Sequence, residues 1–196
     1  MWESFFGFKK TPFSDCPEAK QLFASAAWNQ AKTRLEFLAQ HHGVGLVTGA
    51  GQGLGAAVAR EFAAEGVSVA LVELNPTTAA SLEAEIRGKG SRAQAYPVDI
   101  TDHAAYGRAM EDVVARWGSL DILVNNAAIA VYATILEDSL ENWRRQIAVN
   151  LEAVYMGSKM AAPHMIQQGG GRIISITSVQ GFLSSGMCGA YNDGKA

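Results

Sequence analysis

The chain of 196 residues is 48% hydrophobic, enough to bury a core of ordinary size in one domain or one domain plus an appendage. A net charge of −3, with no basic block longer than Lys9 and Lys10, leaves no electrostatic footprint for nucleic acid or an anionic membrane. Cys16 and Cys188 lie far apart without metal-ligand spacing, and no run approaches the roughly 20 apolar residues of a membrane span; a soluble, cytoplasmic protein with no disulfide framework and no metal site is expected.

Residues 1–43 differ in character from the remainder. They are rich in Phe and Trp and open on a loop-like stretch with Pro12 and Pro17. From Glu18 to His42 the apolar residues Leu22, Ala26, Trp28, Leu35, Phe37 and Leu38 recur at helical spacings without Pro or Gly, which predicts an appended helical extension. From Val44 onward strand and helix alternate. "VGLVTG", "VSVALVE", "AQAYPVDI", "LDILVNNAA" and "GRIISITS" are apolar β-type runs. Between them lie "GLGAAVAREFAAEG", "TTAASLEAEIRGKG", "DHAAYGRAMEDVVARWG" and a long helical stretch from Leu140 to Gln168, broken near Val149. Helices alternating with near-continuous apolar strands predict βαβ units and a doubly wound parallel sheet of about five strands over 44–196, an α/β fold of Rossmann type.

The loop between the first strand and its helix reads "TGAGQGLG", with Gly49, Gly51, Gln52, Gly53, Leu54 and Gly55. Glycines suit a backbone that must turn sharply and approach a pyrophosphate, leaving phosphates at the positive end of the following helix. Glu73 closes the second strand, where its carboxylate can accept from the adenosine ribose hydroxyls and repel a 2′-phosphate. Neither Gln52 nor the residues just after Glu73 are basic, which predicts NAD(H) over NADP(H). A P-loop would require Gly-Lys-Ser/Thr, whereas Gly53 is followed by Leu54 and Gly55.

Two Tyr-x-x-x-Lys pairs occur, a spacing that one helical turn brings onto one face: Tyr155 with Lys159, and Tyr191 with Lys195. Tyr155 lies inside the long helical stretch. Tyr191 follows the fifth strand by a short loop, and Ser178 at the end of that strand stands 13 residues before it. Ligands of open parallel sheets sit at the carboxyl ends of strands, so the second pair is favoured as a working pair and the first as packing or surface.

From Val44 to the end the chain resembles a classical short-chain dehydrogenase/reductase, on "TGAGQGLG", "VDI" at Asp99, "NNAA" at Asn125 to Ala128, "VNL" at Asn150, Ser178 and "YNDGK" in that order. The resemblance implies an alcohol/carbonyl oxidoreductase acting on a small molecule with Tyr191 as acid/base. Tyr191 and Lys195 would also contact the cofactor, with Lys195 on the nicotinamide ribose and lowering the tyrosine pKa. Ser178 would hydrogen-bond the substrate oxygen, and Asn150, at the break in its helix, would position a water of the proton relay. Asp99 and Ile100 would contact adenine, Asn126 and Ala127 would line the cofactor, and Asn125 would brace the sheet. "NNAA" replaces the family's Asn-Asn-Ala-Gly, and Gly194 replaces a common serine, weakening its helix by up to about 1 kcal/mol.

The ends depart from that pattern. Family members continue beyond the lysine with more helix, two strands and a substrate-covering segment, so Lys195 is expected in a frayed last turn and the fifth strand at an exposed edge. A homo-oligomer is implied as well, although the helix on which the family usually dimerises would lie beyond Ala196. The front segment, up to the Thr-Gly at Thr48 and Gly49, resembles the amino terminus of AAA-type ATPases of the secretion and transposition-helper kind. Rival readings are thus a nucleotide-binding fragment or pseudoenzyme without turnover, and an ATPase-related interaction module. The loop "GFLSSGMCGA", with Phe182, Met187 and Cys188, suggests an apolar pocket.

Overall fold

The computed structural model describes residues 43–183 and 188–195. The expected helical extension over 1–43 and the ATPase-like front segment fall, but for its last residues, outside them, as does Met187.

Five strands form one parallel sheet: β1 (Val44–Thr48), β2 (Ser68–Glu73), β3 (Ala93–Pro97), β4 (Ile122–Asn125) and β5 (Arg172–Ser175), in the order β3-β2-β1-β4-β5. The helices between them are α1 (Gly53–Ala64), α2 (Pro76–Gly88), α3 (His103–Trp117), α4 (Leu140–Ile147) and α5 (Ala153–Gln167), and α6 (Gly189–Lys195) follows β5. This is the Rossmann-type α/β architecture that the alternation of elements predicts. The last three strands are shorter than their apolar runs, because Val98 to Ile100, Asn126 to Ala128 and Ile176 to Ser178 leave the ladder as loops. It is from those loops that the candidate site residues come.

Strand periodicity divides the core between the two sheet faces. Val44 and Leu46 of β1 join Val72, Leu123, Tyr106 and Met110 of α3, and Ala161 and Met165 of α5 in one buried cluster. On the opposite face Gly45 lets the Phe62 ring of α1 approach so closely that an added Cβ would lie 3.0 Å from it. Leu82 and Ile86 of α2 are buried as well. Asn75 caps α2 by accepting from the Thr77 N–H at 2.9 Å, and Asp102 caps α3 by accepting from the Ala105 N–H at 2.9 Å.

The chain crosses from β3 on one side of β1 to β4 on the other, so the carboxyl ends of β1 and β4 form a topological switch point. The long helical stretch does not break at Val149. It widens into a single π turn, Ala148–Glu152, and continues into α5. β5 lies at the edge of the described sheet, with Ile173 and Ile174 42% and 39% exposed.

Candidate active site

The glycine loop is built by close approach. Gly49 leaves β1 at φ +63°, and a Cβ on it would sit 2.9 Å from the Ala127 Cα. A Cβ on Gly55 would meet the Gly49 carbonyl oxygen at 2.2 Å and Asn126 Nδ2 at 2.5 Å, so only glycine fits there. Gly53, at φ +54°, faces open space and is required for its backbone alone. Gln52, the residue before α1, makes no side-chain cap, and no acidic residue stands in the first turn of α1. Its leading N–H groups therefore remain available to an anion.

Thr48 at the end of β1 and Asn126 just past β4 hold this loop in register. Thr48 Oγ1 accepts from the N–H groups of Asn126 at 2.9 Å and Ala127 at 3.0 Å while donating to the Val124 carbonyl at 3.3 Å. The Asn126 carboxamide donates back to the carbonyls of Thr48 at 2.9 Å and Gly49 at 3.3 Å. Asn126 thus braces the loop from beneath as well as lining the cleft above it. Sequence reasoning missed this role and that of Thr48; the only signal was a hydroxyl residue at the end of β1. Asn125 turns the other way, donating toward Ser158 Oγ of α5 at 3.3 Å and Ser175 Oγ of β5 at 3.4 Å, which ties β4 to its neighbours.

Above the switch point opens a cleft of about 690 Å³. Gly49, Gln52, Glu73, Asp99, Ile100, Asn126 and Ala127 all line it, drawn from the ends of four strands. Gly51, Gly53, Leu54 and Gly55 belong to the loop but do not line the cleft. The two acidic residues are already engaged by backbone. Glu73 accepts from Gly51 N–H at 2.8 Å and Asn75 N–H at 3.1 Å, and Asp99 accepts from Thr101 N–H at 2.9 Å and Thr101 Oγ1 at 2.7 Å. Arg144 and Arg145 of α4 complete the wall. The residues flanking Glu73 in the chain are not basic, and the fold brings Arg144 and Arg145 from a distant helix to line the same cleft.

The second cluster lies beside β5. Within α6, Tyr191 is half-buried and Lys195 is 5% exposed, its Nζ donating to the Ile176 carbonyl just past β5 at 2.9 Å. Burial pushes the Lys195 ammonium below the usual lysine range. The expected frayed position is thus corrected, because α6 packs against the short 3₁₀ turn Val179–Gly181, the π turn and α4. Ser178 stands at the head of that 3₁₀ turn, its Oγ accepting from Gln180 N–H at 3.2 Å. Asn150, buried in the π turn, grips the backbone of Ile129 rather than facing solvent, and a Cβ on Gly194 would lie 2.8 Å from the Asn150 Cβ. Ser178, Tyr191, Lys195 and Asn150 do not line the cleft itself.

Tyr155 and Lys159 are elsewhere. Tyr155 is 62% exposed on α5, and the Lys159 ammonium lies 5.9 Å from its ring, a surface cation–π contact. Of the loop expected to form an apolar pocket, Phe182 is 83% exposed, whereas Cys188 is buried and bridges to Ala133. Among the described residues no cluster of His, Cys, Asp or Glu could hold a metal ion, and no helix is long and apolar enough to cross a membrane.

A glycine loop at the switch point, an acidic residue closing β2 and a Tyr/Lys helix after β5 are thus set on one Rossmann-type α/β sheet. Residues 44–196 match the family model for short chain dehydrogenases, and the chain belongs to that family. It is 38% identical over 153 residues to a 2,5-dichloro-2,5-cyclohexadiene-1,4-diol dehydrogenase of Sphingobium indicum, covering 78% of this chain and 61% of that protein. Over 136 residues it is 38% identical to the meso-2,3-butanediol dehydrogenase of Serratia marcescens, covering 69% of this chain and 53% of the relative. A crystal structure of NAD+-bound xylitol dehydrogenase superposes with a TM-score of 0.76 at 32% identity, over 79% of this chain and 60% of that one. The chain thus spans between 53% and 61% of the length of these relatives.

Proposed function

We propose that this chain carries the cofactor and catalytic halves of an NAD(H)-dependent oxidoreductase that interconverts an alcohol and a carbonyl, with Tyr191 as acid/base. The observation that supports it most directly is the placement of α6, which sets Tyr191 one helical turn from a buried lysine beside the end of β5. The cleft fits a dinucleotide: its volume, the glycines that a Cβ would obstruct and the uncapped first turn of α1 match a pyrophosphate and its flanking nucleosides. A nicotinamide bound there would accept or supply the hydride.

In the oxidative direction Tyr191 Oη takes the proton of the substrate hydroxyl while the carbon-bound hydrogen leaves as hydride. An unperturbed tyrosine is a weak base at neutral pH, and the Lys195 cation stabilises its ionised form. Ser178 Oγ donates to the substrate oxygen, and Asn150 holds the Ile129 backbone on the cleft wall rather than acting through a free amide. Glu73 supports NAD(H) over NADP(H), since a carboxylate at that place accepts from ribose hydroxyls and repels a phosphate. The names of the butanediol and xylitol relatives favour a polyol or other secondary alcohol as substrate, and sparse cysteine usage favours a cytoplasmic setting.

The test is NADH and NADPH titration followed by turnover with a panel of secondary alcohols and polyols. Oxidation that falls at least about 100-fold in Tyr191→Phe with NADH affinity retained is the expected result. Tighter NADPH than NADH binding overturns the cofactor assignment, and an unchanged rate in Tyr191→Phe overturns the mechanism.

A further inference from the structure

The cleft carries a positive feature that the proposed hydride chemistry does not use. Arg144 and Arg145 line it from α4, and among the described residues neither forms a salt bridge or a side-chain hydrogen bond. Three other arginines have local acidic partners, Arg60 with Glu85, Arg87 with Glu83 and Arg116 with Asp112, and none of the three lines this cleft. Cations in the last turn of a helix often offset the negative end of its dipole. That reason is weak here, because α4 runs through the π turn into α5 and has no open carbonyl end at Ile147. Neither acidic residue of the same cleft forms an ion pair with Arg144 or Arg145: Glu73 accepts from the Gly51 and Asn75 N–H groups, and Asp99 Oδ1 from the Thr101 N–H and hydroxyl.

Resting on the dinucleotide reading, we infer that Arg144 and Arg145 form a phosphate-recognition subsite for the adenosine half of the bound nucleotide. Guanidinium groups suit phosphate oxygens through paired N–H donors, and α4 presents two of them to a cleft that Gly49 and Gln52 of the glycine loop also line. The phosphate is either the 5′-phosphate of the pyrophosphate or a 2′-phosphate on the ribose. In the second case the arginines offset the repulsion from Glu73 and admit NADP(H) beside NAD(H).

The experiment is calorimetric titration of wild type, Arg144→Gln, Arg145→Gln and the double variant with adenosine, 5′-AMP and 2′-AMP. Both side chains are exposed, so glutamine leaves the fold intact, and Arg→Lys at each position controls for charge. The double variant is expected to lose roughly tenfold in affinity for at least one nucleotide, with adenosine within about twofold of wild type and the loss shrinking as salt rises. A loss confined to 5′-AMP assigns the pyrophosphate, and one confined to 2′-AMP assigns the ribose phosphate. Equal losses for adenosine and both nucleotides, or no loss for either nucleotide, overturn the subsite. Wild type that binds none of the three overturns the dinucleotide reading itself, a separate outcome.

Discussion

The carboxamide of Asn150 closes two hydrogen bonds on one residue, accepting from the Ile129 N–H at 2.9 Å and donating to the Ile129 carbonyl at 2.8 Å. This pairing fixes the loop that follows β4 against the π turn, and Ile129 is part of the cleft wall. Gln146, one turn earlier and fully buried, adds a third bond by accepting from Val131 N–H at 3.0 Å. Asn150→Ala therefore leaves the part-buried N–H and carbonyl of Ile129 without their partner, and a loss of about 1–2 kcal/mol is expected in urea unfolding. Ionised, Asn150→Asp keeps an acceptor for the Ile129 N–H but loses the donor to the Ile129 carbonyl, and protonation restores an O–H donor, so its stability is expected to rise as the carboxyl protonates.

Thr48 Oγ1 supports two successive amides of the Asn126–Ala127 turn. Thr48→Val preserves the shape and removes the acceptor, which strands both N–H groups. Destabilisation of about 2 kcal/mol follows, together with weaker NADH binding as the loop relaxes, and Thr48→Ser is expected to restore most of both. Chemical denaturation and NADH fluorescence titration measure the two effects separately.

Gly53 and Gly55 are two residues apart yet should respond differently to alanine. Gly53→Ala meets no atom and suffers only the positive φ, a cost of roughly 1 kcal/mol. Gly55→Ala drives a Cβ into the Gly49 carbonyl and the Asn126 amide, so the loop must move. Its NADH affinity is expected to fall at least tenfold below that of Gly53→Ala, or its thermal midpoint to drop by several degrees more.

Lys195 makes stability depend on alkaline pH. Burial lowers its pKa in the folded chain below the unfolded value of 10.5, so between the two values the unfolded chain binds more protons. Stability contributed by this residue therefore rises with pH across that window and is flat below the folded pKa, where the cost of burying the cation is present in full. Denaturation midpoints taken from neutral pH upward are expected to show this rise in wild type and to lose it in Lys195→Met.

The fold was readable because alternating apolar strands and helices punctuated by glycine leave few ways to cover both sides of a parallel sheet. The glycine loop and Glu73 were readable for the same local reason, since their chemistry is declared by near neighbours in the chain. What sequence did not declare was tertiary. The side-chain partners of Asn150 and Asn126 are backbone atoms of distant loops, and no residue pattern announces a hydrogen bond to a carbonyl 77 or 78 positions away. Arg144 and Arg145 were read past because proximity to Glu73 was judged along the chain. Where sequence predicts a break near Val149 the helix instead widens into a π turn, which keeps the backbone helical while shifting its register. Lys195 was expected to fray because seven residues of helix have no stability alone; packing on three neighbours supplies it instead.

The contact between Gly194 and Asn150 bears on how this site can vary. Glycine at position 194 weakens α6 intrinsically, and alanine would gain up to about 1 kcal/mol of helix propensity, yet its Cβ would press against the Asn150 Cβ at 2.8 Å. Two backbones that approach this closely must change together: any side chain at 194 displaces either the helix that carries Tyr191 and Lys195 or the turn that holds the cleft wall. Substitutions at 194 and 150 are therefore expected to be non-additive, and a larger residue at the first will be tolerated only with a partner change that opens the second.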